Sequence, residues 1–155
     1  MDESLSLIDV QLKKRFELIP NLVETVKGYN AYESSVLTEI TANRTGLPAD
    51  TIEKASLDGS ITSKLRTFRV QVEAYPDLMA NSQFIKLMDA LSNIEDELAM
   101  ARRYYNGTVR DLHNLMEVFP NVLFAGMFGI KKHVFYEIPA GESVRPDVNL
   151  NETDA

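Results

Sequence analysis

Residues 8–33 read IDVQLKKRFELIPNLVETVKGYNAYE, and the spacing of their apolar side chains decides the fold. A three-then-four register places Leu5, Ile8, Leu12, Arg15, Ile19, Leu22, Val26, Tyr29, Glu33, Val36 and Ile40 in line, all apolar except Arg15 and Glu33. Such a register makes one stripe along one side of an α-helix. It predicts a first helix from about Asp2 to Arg44, with Asp9 and Lys13 four apart on its solvent face. Pro20 falls in the middle. It removes one backbone donor and clashes with the carbonyl of Phe16, a local cost of about 3 kcal/mol. Because the register continues through it, the expectation is a kink or short break near Pro20 within one rod.

Working outward, Thr45-Gly46-Leu47-Pro48 ends that helix, with Gly suited to the position after its last turn and Pro48 to the first turn of the next. A weaker helix follows, with an interruption expected near Asp58-Gly59. From Ser60 the stripe Ile61, Leu65, Phe68, Val72, Tyr75 resumes, until Tyr75-Pro76-Asp77 stops it. Asn81 or Ser82 can cap the next helix. That helix is the clearest: Phe84, Leu87, Leu91, Ile94, Leu98, Ala101, Tyr105, Thr108, Leu112, Leu115 and Phe119 keep the register, with Thr108 alone polar. Gly107 beside it costs about 1 kcal/mol relative to Ala and marks a soft point or a close helix contact. After the turn at Phe119-Pro120-Asn121, the apolar segment Val122–Ile130 is expected to lie back across the bundle, and only Val134 to Ile138 hints at a strand.

Short turns between long amphipathic helices favour intramolecular packing over an extended coiled coil. The fold expected is all-α: an antiparallel up-and-down bundle of about four helices, three long and one short. Residues 1–139 form this one domain, and 140–155, polar with Gly and Pro, a mobile tail.

Composition narrows the function. The chain has 155 residues, 45% hydrophobic, and a net charge of −7 with no dense Lys/Arg run, which argues against a nucleic-acid partner. It has no cysteine, so disulfides, zinc knuckles and thiol chemistry are excluded. The longest apolar run, Val122–Ile130, is about half the length a bilayer-spanning helix needs. The start, Met1-Asp2-Glu3, shows no signal-peptide pattern, and the chain reads as soluble.

Catalytic templates fail one by one. A di-metal carboxylate bundle needs Glu three residues before each ligating His, yet Arg110 and Ile130 precede His113 and His133. There is no Gly-x-Ser-x-Gly elbow, phosphate-cradling Gly-rich loop or His-Glu-x-x-His motif. Glu95-Asp96-Glu97 reads as a solvated face, because consecutive helical residues diverge. Three Asn-x-Thr triplets, at Asn43, Asn106 and Asn151, read as coincidence. The expectation is therefore no catalytic residue, no cofactor and no metal.

Two features remain. Arg15 and Glu33 are charges in the apolar stripe, and a buried charge must be paired. Length counting offers Asp77 to Arg15, and Arg102 or Arg103 to Glu33; the alternative is a bundle open and wet at those points. Phe124, Met127 and Phe128 form a candidate interaction patch for a partner or a membrane surface, unless the segment simply caps the core.

IDVQLKKRFELIPNLVETVKGY (8–29) with Glu33, EAYPDLMAN (73–81) and ARRYYNGTVRDLHNLMEVFPNVLFAGMFGIK (101–131) together resemble the LemA family. The resemblance implies the same mostly helical bundle; Gly46 to Ser60 follows the family pattern less well. Members typically carry one N-terminal transmembrane helix, so the resemblance implies an excised soluble domain of a bacterial membrane-anchored protein, on a membrane side it does not specify, or else a naturally soluble member. No catalytic motif defines the family, and one member functions in magnetosome membrane assembly. The function expected is a non-enzymatic membrane-tethered scaffold with a protein partner; the alternative is a sensor holding a small molecule or peptide between helices.

Overall fold

The computed structural model describes residues 2–29, 39–41 and 46–138. Among them the only regular structure is helical: α1 (Asp2–Lys27), α2 (Thr51–Val72), α3 (Pro76–Met79), α4 (Ser82–Glu117) and α5 (Asn121–Met127). Residues 39–41 are also helical. The protein is an all-α helical bundle.

The stripe in α1 is buried as its spacing requires: Ile8, Leu12, Arg15, Ile19, Leu22 and Val26 all face inward. Pro20 stays inside an unbroken helix, because the flanking Ile19 and Leu22 are buried on both sides of it and hold the register. The helix stops at Lys27, short of Arg44, where Tyr29 N donates to Val26 O at 3.0 Å and tightens the chain into a turn at Gly28. Glycine there costs the helix most of its propensity. Glu33, Val36 and the end at Arg44 lie outside the described residues, as does the tail 140–155. Ile40 is buried in the core.

α2 departs from expectation at its start and in its middle. Pro48 precedes it rather than opening it; the cap is Asp50, whose Oδ2 accepts from Ile52 N at 3.0 Å and Glu53 N at 3.1 Å. The break expected at Asp58-Gly59 does not occur. Both residues are buried in the middle of the helix, in line with Ile61, Leu65, Phe68 and Val72.

α4 starts at Asn81, whose Oδ1 accepts from Gln83 N and Phe84 N while its Nδ2 donates to the Tyr29 hydroxyl at 2.6 Å. Its stripe is buried from Phe84 to Tyr105, then shifts to Val109. Leu115 and Phe119 are exposed, for a simple reason. Helix lengths of about 39 Å for α1 and about 54 Å for α4 leave the last turns of α4 overhanging the start of α1, where Ser4 Oγ meets Thr108 Oγ1 at 3.3 Å.

Contacts fix the directions. Ser4 lies beside Thr108, Lys14 beside Glu97 and Tyr29 beside Asn81, so α1 and α4 are antiparallel. Asp9 pairs with Lys54 and Arg15 with Asp58, so α1 and α2 run the same way. Ahead of α2, Gly46 and Leu47 line a pocket with Lys13, Phe16 and Glu17 of α1. The core falls into two apolar regions. One holds Ile19, Leu22, Leu65, Phe68, Phe84 and Leu91; the other holds Ile8, Leu12, Ala55, Leu98, Tyr105 and Val109.

Candidate functional site

Arg15 lies between Leu12 and Ile19 in sequence, and Asp58 between Ala55 and Ile61, so a layer of charge separates the two apolar regions. Arg15 and Asp58 are both fully buried. Arg15 Nη1 donates to Asp58 Oδ1 at 2.9 Å and Nη2 to Thr62 Oγ1 at 3.1 Å. Asp58 and Thr62 are one turn apart on α2 and so share a face. From α4, Arg102 grips the same carboxylate side-on, Nε to Oδ2 at 2.9 Å and Nη2 to Oδ1 at 2.7 Å. The Tyr136 hydroxyl completes the set, 3.1 Å from Asp58 Oδ2 and 3.3 Å from the Lys54 carbonyl. Each carboxylate oxygen thus accepts two hydrogen bonds, which fills its acceptor capacity.

The outer ring is ionic too. Glu95 lies 3.8 Å from Arg15 and 3.1 Å from Arg69, and the buried Lys54 ammonium pairs with Asp9. Burial lowers the Arg15 pKa from its ordinary value, against the raising influence of Asp58 and Glu95. Burial first, and then the Asp58 carboxylate, push the Tyr136 phenol well above the usual tyrosine range. Tyr136 therefore stays a donor.

Tyr136 arrives on a strap without regular structure, residues 130–138, that lies against α4. Tyr105 Oη donates to Val134 O at 3.0 Å. The Asn106 side chain holds the Tyr136 backbone at two points, Nδ2 to O at 3.0 Å and N to Oδ1 at 2.8 Å. His113 Nε2 lies 3.0 Å from His133 O, and its ring packs edge-on to Phe135. No strand forms at 134–138; the ladder partner is a helix side chain.

Arg15 does not meet Asp77. Asp77 sits exposed on α3 at the far end of the bundle, while the parallel run of α1 and α2 brings Asp58 level with Arg15. Glu33 lies outside the described residues; Arg102 is committed to Asp58. Arg103 is exposed and makes no ion pair among the described residues. Glu95 is not a solvated residue but turns into the charge layer, whereas Glu97 faces Lys14 at the surface. Phe124, Met127 and Phe128 are 52, 70 and 70% exposed, so α5 does not cap the core; of its residues only Ala125 is buried. Sequence reasoning missed Asp58, Thr62, Lys54 and Tyr136. The stripe Ile61-Leu65-Phe68-Val72, extended one step back, lands on Asp58, and that signal was masked by reading Gly59 as a break.

Among the described residues no group of three or more His, Cys, Asp or Glu side chains could hold a metal ion, and no helix is long and apolar enough to cross a membrane.

The model of the LemA family matches residues 4–150. The chain belongs to the LemA family. It is similar to Protein LemA of Metamycoplasma hominis, 27% identical over 150 residues, which cover 95% of this chain and 68% of that protein. The family is one without an assigned activity, and membership carries the helical architecture rather than a chemistry.

Proposed function

We propose that the protein is a non-enzymatic, membrane-tethered scaffold whose apolar end docks a protein partner. One observation carries this reading: Phe119, Leu123, Phe124, Met127 and Phe128 are each more than half exposed, together at one end of the bundle. A contiguous apolar surface of that kind is unusual on a free monomer and marks an interaction site. The net charge of −7 opposes close approach to an anionic bilayer, which favours a protein as the occupant. The start of α1 lies toward the same end, as Ser4 and Thr108 show. A tether of the kind family resemblance implies, joined to α1, would hold the apolar end near a membrane. The buried charges support a structural role, since the Asp58 carboxylate has no acceptor capacity left for a substrate.

The test is crosslinked purification from native membranes with Phe124→Glu and Phe128→Glu as controls. A reproducible partner lost in both variants, with folding unchanged, supports the reading. Binding of the purified domain to lipid vesicles without any protein would assign the surface to the bilayer instead.

A further inference from the structure

On the flank of α4, between that helix and the strap, lies a groove of about 590 Å³ lined by Arg102, Arg103, Asn106, Gly107, Arg110 and Tyr136, among others. Among the described residues no carboxylate lines it, although the chain carries 23 acidic residues against 16 basic ones. Among the described residues Arg103 and Arg110 make no ion pair, and Arg102 donates through Nε and Nη2 to Asp58 with no hydrogen bond from Nη1. The charge layer behind the groove does not offset these arginines: Asp58 and Glu95 there are already matched by Arg15 and Arg69. A positive concavity in an acidic protein concentrates anions.

Gly107 is the second observation. A glycine inside a helix is unfavourable by about 1 kcal/mol relative to Ala, and no close helix contact requires one here. A Cβ built at Gly107 meets nothing within 4 Å. The missing side chain leaves the groove open along the helix between Arg103 and Arg110.

We infer that this groove binds a phosphate-class oxyanion, held by Arg102, Arg103 and Arg110 over Gly107. Three guanidiniums suit a tetrahedral dianion, which offers more acceptors than a carboxylate and takes paired N–H donors from arginine. The site is separate from the apolar end and stands whether or not that end binds a partner. It also adjoins Tyr136, so the anion would sit against the strap that closes the charge layer.

The experiment is a backbone-amide NMR titration of the full chain with sodium phosphate, against sodium chloride at equal ionic strength. A second arm uses phosphatidylcholine vesicles with and without phosphatidylglycerol. The expected result is saturable shifts across residues 102–110 with phosphate but not chloride, weakened at least tenfold in Arg103→Gln/Arg110→Gln. Gly107→Ala should weaken binding similarly while its unfolding midpoint holds or rises, a combination that lost folding cannot produce. Shifts seen only with phosphatidylglycerol vesicles, and lost in the same variants, would support the site and identify its phosphate as a lipid headgroup. Absent or non-saturating shifts in both arms, or shifts indifferent to these substitutions, would overturn it.

Discussion

Tyr136 and Asp58 are 78 residues apart in the chain, yet the phenolic oxygen lies 3.1 Å from the Asp58 carboxylate in the buried middle of the bundle. The contact ties the strap to α2 across the flank of α4, and it makes the bundle sensitive to alkali. With the Tyr136 pKa raised in the folded state, the native protein holds a proton that the unfolded chain releases above about pH 10. Stability from this group is therefore complete below pH 10 and declines as pH rises beyond it. Urea unfolding across pH 9–11 is expected to show that decline, with a shallower slope in Tyr136→Phe. An equal slope in both proteins would place the sensitivity elsewhere.

Asp58 is the centre of the charge layer. Its removal leaves Arg15 buried with no partner on that side, so Asp58→Ala is expected to cost about 3–5 kcal/mol in urea unfolding. The apolar pair Arg15→Met/Asp58→Leu should recover most of that loss, because Arg102 is partly exposed and can turn to solvent. A cost under about 1 kcal/mol for Asp58→Ala would mean the layer is wet.

Much of this was legible in the spacing of apolar residues, and the failures have physical causes. The buried faces of α1 and α4 follow their three-then-four register because burial, not propensity, sets helix position. Asp58-Gly59 misled because a charge and a glycine inside a helix both look like breakers; the buried pairing of Asp58 with Arg15 in the middle of α2 overrides them. The partner of Arg15 could not be counted from length, since that count needs the direction of α2. Tyr136 carried no periodic signal, because it lies on a strap whose backbone is held by Asn106. The apolar run of α5 allowed both an exposed patch at Phe124, Met127 and Phe128 and a cap on the core, because hydrophobicity alone does not say which face a short helix buries.

Asn81 caps α4 and binds Tyr29 with the same side chain. Asn81→Ala should cost about 1–2 kcal/mol, whereas Asn81→Asp, which keeps the cap acceptor but not the amide donor, should cost less. Thermal or urea unfolding of the two variants decides it.

Glu117 and Lys132 join α4 to the strap at 2.7 Å, both well exposed. The hydrogen bond from Lys132 lowers the Glu117 pKa below its ordinary value. The contact is thus intact above the unfolded carboxylate pKa and is lost as pH falls through the lower folded value. A side-chain NMR titration should show a depressed Glu117 midpoint that returns to the ordinary range in Lys132→Gln; an unchanged midpoint would mean the pair does not persist in solution.

The docking role of the apolar end is tested most directly by site-specific photo-crosslinking in native membranes, with the probe at Phe124 in one variant and at Val70 in another. Val70 is 64% exposed on the side of the bundle, which makes it a control of similar accessibility. The scaffold account predicts a discrete protein adduct from position 124 that position 70 does not give. The same adducts from both positions, or none from 124, would contradict it.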